Sequence, residues 1–478
     1  MLFPIVTAIA SSILIKGGTV VDGSGKPGQL ADVRIQSGKI VKVGRLTALP
    51  DETVVFARGK VVCPGFVDAH SHADGALDKL ESQVRQGITT AVVGQDGSSD
   101  VSGLIEVFHK GPPCINFASF SGHGTCREAA MGADFARRAT GPEIAKMSGL
   151  VKKDMGLGAL GLSSGLEYDP GHYATTDELV EVARATTTNG GMYISHVRDE
   201  GNGAMASFRE VLEISRRAKV PAQVSHIKLA TAKVWGLSKK SLKELETSGS
   251  KVTLDVYPYT YWQSTVTALT VSRDFDNPET WRLALADIGG AKNVRVTKYV
   301  PDPTWQGKTL QQIAELTGKP APDLIVEMVK NTSGQRGQES ILCQAMREDD
   351  LINFIRSKQS MFCSDGQGGG SHPRSAGSFP RVFAEYVRKN QVLTLQEAVR
   401  KMTSFPCQIF GFKWRGLIKS GYFADVVVFD PKTIQDNSSP NDPTKMATGV
   451  SEVLVSGKFV VRAGRFLGGG QGKFLRRN

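Results

Sequence analysis

Histidine is scarce in this 478-residue chain, with eight in all, and cysteine is scarcer, with six. Cys63, Cys114, Cys126, Cys343, Cys363 and Cys407 form no CxxC pair and no regular spacing. That excludes a disulfide framework or a cysteine-based zinc finger, and reads as small buried residues in a reducing compartment. Aromatic residues make up only 7% and are not interleaved with the basic ones. The formal charge of +11 therefore comes from scattered residues, not from a stripe that would read nucleic acid. It suits solubility, or attraction of anionic small molecules. No apolar run reaches about 18 residues, so no membrane span is expected. Gly368-Gly369-Gly370 lacks the Lys-Ser/Thr of a P-loop and reads as a loop. There is no internal repeat. The apolar start, Met1 to Val6 followed by Ala8-Ile9-Ala10, ends like a cleavage site but has no basic flank, so a cytoplasmic protein is expected and secretion is the alternative. Nothing in the sequence fixes an oligomeric state.

What is there is concentrated. Val67-Asp68-Ala69-His70-Ser71-His72 places two of the eight histidines at the end of the apolar run Cys63-Pro64-Gly65-Phe66-Val67. Residues i and i+2 of a strand point to one face, so both imidazoles aim at one place. Such a pair fits a metal site or a structural histidine cluster, and the other strand ends decide between them.

Residues 1–62 and 412–478 share a texture of short strands and Gly turns, as in Ile13-Leu14-Ile15-Lys16 and Asp425-Val426-Val427-Val428-Phe429. Two β-rich ends flanking a different middle predict one small β-sandwich domain built from both termini. Over 63–411, apolar runs stop at polar residues eight times, at 65–70, 89–96, 115–123, 159–164, 191–196, 221–226, 252–257 and 361–365. Helical patterns lie between most of them. Thr175-Thr176-Asp177-Glu178 opens one with a Thr-x-x-Glu capping pattern, and 204–219 and 237–247 carry two more. Strand and helix alternating eight times predict an α/β chain built on a (β/α)8 TIM barrel. His196 and His226 are 30 residues apart, one βα unit where about 31 is usual. The longer gap from Tyr257 to Asp365 predicts an inserted subdomain near 270–340.

A barrel of this kind gathers its functional groups at the C-terminal strand ends. Those ends read His70 and His72, Asp96, His123, Ser163 and Ser164, His196, His226, Tyr257, and Asp365. Five histidines at four strand ends, with two carboxylates, form the donor set that a zinc ion takes with an open position. Asp96 also fits a turn, since Asp-Gly-Ser-Ser is good turn chemistry. His123 fits either a contact to substrate or loop packing, and Glu167 either a pocket wall or a turn.

These motifs resemble the amidohydrolase superfamily, through Pro64-Gly65-Phe66-Val67-Asp68-x-His70-x-His72 and Ser364-Asp365-Gly366. Finer ones resemble its D-aminoacylase (N-acyl-D-amino-acid deacylase) branch: Leu160 to Tyr168, His196-Val197-Arg198-Asp199-Glu200, Ser225-His226-Ile227-Lys228, Asp255-Val256-Tyr257-Pro258-Tyr259 and His372-Pro373-Arg374. The resemblance covers essentially the whole chain. It implies a Zn²⁺ held by His196 and His226, with His70 and His72 as the second half of a site for one or two ions, Asp96 in the place of a further metal ligand, and Asp365 as general base and acid. It implies that Lys228, Tyr257, Ser264 and Arg374 hold the carboxylate of an N-acyl amino acid, a small-molecule partner, and it leaves His123 a candidate contact. One position departs: the branch has a Cys at the second strand end, where this chain has Asp96, a harder ligand. Two other readings stand beside the deacylase. A cyclic-amide hydrolase would carry a metal-bridging Lys at the fourth strand end, where this chain has Ser163-Ser164. A non-catalytic scaffold would tend to lose ligands, which this chain keeps.

Overall fold

The computed structural model describes residues 12–332 and 337–477, so the apolar start lies outside the described residues. Its centre is a ring of parallel strands, Phe66–Asp68, Ile88–Val93, Asn116–Ser119, Gly161–Gly165, Met192–His196, Ala222–Val224, Val252–Val256 and Ser360–Phe362. The third strand is interrupted at Phe120 and resumes as Ser121–Gly122, which pairs with the fourth. The ring closes where Ala69 N–H donates to the Phe362 carbonyl (3.3 Å) and Asp365 N–H to the His70 carbonyl (2.9 Å). The chain thus folds as an α/β TIM barrel with a small β-domain.

Strand alternation sorts the side chains into two cores. Tyr193 packs with Leu179 and Val182 of helix Thr176–Arg184 and with Phe208 and Val211 of helix Ala204–Ala218. Its neighbours Met192 and Ile194 belong to the other core, with Val67, Val92 and Ala118. The helix at Thr176 starts as the sequence predicts, with the Thr175 hydroxyl accepting from Glu178 N–H at 3.2 Å. The second half of the capping pattern does not form. The Glu178 carboxylate turns inward to His123 and Arg127 instead, because a fully buried guanidinium there demands a counter-charge.

The termini meet in one continuous nine-stranded sheet, in which Val426–Phe429 pairs antiparallel with Val61–Pro64. Strand Ile13–Val20 serves two parallel neighbours: Ile13 to Lys16 pair with Thr53–Phe56, and Thr19 and Val20 with Val61 and Val62. The bulge between Ile15 and Gly18 makes that switch. Gly17 has φ +73°, and a Cβ on Gly18 would lie 2.5 Å from the Val62 side chain, so two glycines stand here. Asn116 of the barrel donates to Asp425 at 3.1 Å, and Asp425 also pairs with Arg415.

Between the seventh and eighth barrel strands lie an antiparallel sheet of Tyr261–Ser264, Val294–Tyr299 and Glu339–Gln344, and helices Pro278–Asp287, Leu310–Thr317 and Ala321–Thr332. The sheet and helix Pro278–Asp287 contribute residues to the wall of the cavity at the C-terminal mouth. No helix among the described residues is long and apolar enough to cross a membrane.

Candidate metal and active site

Backbone geometry at the mouth is specialised. Asp96, His226 and Asp365 have φ of +54°, +33° and +50°, in a region that non-glycine residues enter at a cost and that clusters at functional sites. Asp68 sits beneath Asp365: its two oxygens accept from Ser364 N–H (2.7 Å) and Ser364 Oγ (2.5 Å), joining the first strand to the last. Burial raises Asp68 to about 7. Asp255 accepts from His226 N–H (2.7 Å) and Gln223 Nε2 (2.5 Å), which fixes the turn at His226.

Four histidines and two carboxylates meet above these supports. Asp96 Oδ1 is 3.5 Å from His70 Nε2, 3.5 Å from His226 Nε2 and 3.9 Å from His196 Nδ1. Its Oδ2 is 3.5 Å from His72 Nε2. Asp365 Oδ1 lies 3.2 Å from His72 Nε2 and 3.6 Å from His70 Nε2. His196 Nδ1 and His226 Nε2 are 3.0 Å apart. Both ring nitrogens of His70, and Asp96 Oδ1, are buried without a hydrogen-bond partner. Orphaned buried polar atoms are rare and expensive, and here they converge. A cation at that point satisfies them, so the donor set fits a metal ion.

The electrostatics agree. Burial alone would raise Asp96 and Asp365, but the imidazoles around Asp96, and Arg374 with the imidazoles around Asp365, hold both well below the usual carboxylate range. Burial alone would lower His72, but Asp365 and Asp96 raise it to about 10. Burial and the Lys228 ammonium would lower His226, yet Glu200, Asp365 and Asp96 raise it to about 10. The two carboxylates therefore demand positive charge among the histidines. Burial keeps His70 well below its ordinary value, neutral and suited to ligation.

A cavity of about 650 Å³ opens onto this cluster and is also lined by Lys228, Tyr257, Ser264 and Arg374. Arg374 Nη1 is 2.6 Å from Asp365 Oδ2, and its guanidinium lies 5.0 Å from the Tyr257 ring centre. The structure thus brings together His70, His72, Asp96, His196, His226 and Asp365, with the four carboxylate-binding candidates around them. It does not bring His123 there. That ring is fully buried and bonded through Nε2 to Glu178 at 2.9 Å, and it does not line the cavity. The interruption at Phe120 lets the third strand end turn away into helix His123–Met131.

The sequence offers Glu167 as a pocket wall or a turn, and that residue does line the cavity, but nothing there foretells the backing of the two facing histidines by Glu167 and Glu200. His196 Nε2 is 2.8 Å from Glu167 Oε2, and His226 Nδ1 is 3.0 Å from Glu200 Oε1. Glu200 follows His196 by one helical turn's spacing inside a motif already singled out. Asp68 and Asp255 likewise lie within quoted motifs.

A cluster whose donors fit a metal ion, at the C-terminal mouth of a TIM barrel that carries a small β-domain, defines the class. The chain belongs to the amidohydrolase family, whose model matches residues 53–292 and 305–461. Among its relatives, a D-aminoacylase of Alcaligenes xylosoxydans xylosoxydans is 33% identical, aligned over 97% of each chain. An N-acyl-D-glutamate deacylase of the same organism is also 33% identical, over 93% of this chain and 92% of that one. The crystal structure of N-acyl-D-glutamate deacylase from Bordetella bronchiseptica, complexed with zinc and a phosphonate mimic of the tetrahedral intermediate, superposes with a TM-score of 0.88 at 32% identity. It covers 98% of this chain and 99% of that one.

Proposed function

We propose that this protein is a zinc-dependent N-acyl-D-amino-acid deacylase, which hydrolyses a linear amide to a carboxylate and a free D-amino acid. The observation that carries the reading is the partnerless His70 and Asp96 atoms facing His196, His226 and Asp365 at the floor of a cavity walled by Arg374 and Lys228. The D-configuration and the zinc rest on the deacylase relatives. His70, His72, Asp96, His196 and His226 would hold one or two Zn²⁺ ions. When bound, zinc supplies Lewis acidity, lowering the pKa of water towards about 7 and polarising an amide carbonyl.

The chain's own groups do the rest. Asp365 Oδ1, on the histidine side of that carboxylate, takes a proton from the attacking water and delivers it to the leaving amine nitrogen. Arg374 keeps one guanidinium edge on Asp365 Oδ2 and turns the remaining N–H groups to the α-carboxylate of the substrate. Lys228 adds a second positive group, and Ser264 and Tyr257 flank it. Trp262, Ala268, Leu269, Leu283, Ala284 and Ile288 are among the residues that line the cavity, and they offer contacts to an apolar substrate side chain. Lys298, also in the lining, favours an acidic side chain as the second reading. A cyclic-amide hydrolase is disfavoured, since the fourth strand end carries Ser163 and Ser164 and no metal-bridging Lys, with Ser164 turned to Tyr193 (2.6 Å) and Ser195 (3.0 Å). The same reading divides the chain into 1–62 with 412–478 and 63–411, a division supported by the sheet that joins both termini.

The test is a panel on zinc-loaded protein, reading amine release from N-acetyl-D-leucine, -D-methionine, -D-glutamate and -D-aspartate, with hydantoin alongside. Turnover of the first two is expected. Turnover confined to the acidic pair selects the second reading, and no D-substrate turned over with Zn²⁺ or Co²⁺ overturns both.

A further inference from the structure

Glu200 has no part in that chemistry, yet it joins two of its components. It is buried, with Oε1 3.0 Å from His226 Nδ1 and 2.6 Å from Lys228 Nζ, while Lys228 Nζ lies 2.7 Å from the same Nδ1. The other nitrogen of His226, Nε2, faces His196 Nδ1 and Asp96 Oδ1. His196 repeats the pattern: Nδ1 faces the cluster, and Nε2 is backed by Glu167 at 2.8 Å. Each of the two histidines therefore turns one nitrogen to a common point and rests the other on a carboxylate.

The tautomer follows. A histidine that gives its Nε2 lone pair to a cation carries its proton on Nδ1, where it donates and cannot accept from an ammonium. Glu200 suits both neighbours, accepting from His226 Nδ1–H and from Lys228. Without it, a buried ammonium and an imidazole N–H would face each other at 2.7 Å, and one of them would have to move.

We propose that Glu200 is a positioning residue that couples the metal site to the substrate-carboxylate site. It fixes the ring plane and tautomer of His226, and it anchors the Lys228 ammonium at the cavity wall. Glu167 performs only the first of these tasks, for His196. This proposal rests on the deacylase reading of the cavity.

The experiment measures zinc affinity by competition with a chromophoric chelator, and KM for the best N-acetyl-D-amino acid at saturating zinc. Glu200→Ala is expected to weaken zinc binding about 10- to 100-fold, the usual consequence of losing such an outer carboxylate. It is also expected to raise KM about tenfold through the displaced Lys228. Lys228→Met raises KM and keeps the wild-type zinc affinity, whereas Glu167→Ala, which leaves the Lys228 pairing intact, weakens zinc binding and raises KM by less than Glu200→Ala does. Should Glu200→Ala lose its folded circular dichroism spectrum, Glu200→Gln carries the comparison. That variant keeps an acceptor for His226 and loses the charge facing Lys228, so its KM rises by a larger factor than its zinc affinity falls. Wild-type zinc affinity or wild-type KM in both Glu200 variants overturns the coupling. Wild-type protein that binds no zinc or turns over no D-substrate overturns the deacylase reading itself.

Discussion

Replacing Glu178 with Ala tests the account where sequence and structure diverge most. The guanidinium of Arg127 is fully buried, with Nη1 on both oxygens of Glu178 and Nη2 on the carbonyls of Phe135 (3.1 Å) and Arg137. His123 adds a third link to the same carboxylate. Burial would raise Glu178, and His123 with Arg127 holds it below the usual carboxylate range, so the group is ionised. Removing it leaves a buried cation uncompensated, which costs about 3–5 kcal/mol. Exchanging both partners for apolar residues of similar volume is often neutral, so Glu178→Leu with Arg127→Met should recover most of the loss. The assay is urea unfolding followed by far-UV circular dichroism. At saturating zinc, KM should stay at the wild-type value in the double variant, because neither residue nor His123 lines the cavity. A Glu178→Ala protein within about 1 kcal/mol of wild type would refute the buried-charge argument. So would a double variant no more stable than the single. A large rise in KM in a fully folded double variant would return His123 to the substrate.

Other outcomes follow from the same structure. Asp365→Asn should lower kcat about 10²- to 10⁴-fold, as loss of a general base does, with KM nearly unchanged; near-wild-type kcat would remove Asp365 from the proton transfers. Dialysis against a chelator should abolish amide hydrolysis, with recovery on adding Zn²⁺ or Co²⁺; activity that survives complete metal removal, checked by elemental analysis, contradicts the metal site. In the small domain, bonds from Arg34 at 2.8 and 3.0 Å hold Glu52 at about 2, below its ordinary 4.5. Its folded value being depressed, Glu52 contributes stability above pH 4.5 that is lost as pH falls towards 2. Arg34→Met should therefore lose less stability than wild type between about pH 6 and pH 3, read from urea midpoints; equal losses would refute the pairing.

The barrel was legible because each of its strands is a short apolar run ending in a polar group, and that pattern needs no knowledge of distant contacts. The meeting of His70, His72, Asp96, His196, His226 and Asp365 followed from the same pattern, since barrel strand ends share one mouth. Long-range charge pairing was not legible. Glu178 satisfies a helix-capping pattern in sequence, and only the packing of helix His123–Met131 against it reveals Arg127 as its partner. Glu167 reads as a pocket wall or a turn, with no sign of the histidine it backs, and Glu200 lies in a polar stretch, indistinguishable there from a solvated face. Their histidine partners lie 29 and 26 residues further along the chain. The two-neighbour role of strand Ile13–Val20 depends on a bulge whose sign in the sequence is only a glycine pair.

The measurement that bears most directly on the central claim is the ratio of kcat/KM for N-acetyl-D-leucine over N-acetyl-L-leucine on the zinc-loaded protein, with Asp365→Asn in parallel. Turnover of the D-enantiomer in strong preference to the L, and its near loss in the variant, is the expected result. Equal turnover of both enantiomers, or hydrolysis that Asp365→Asn leaves untouched, would contradict it.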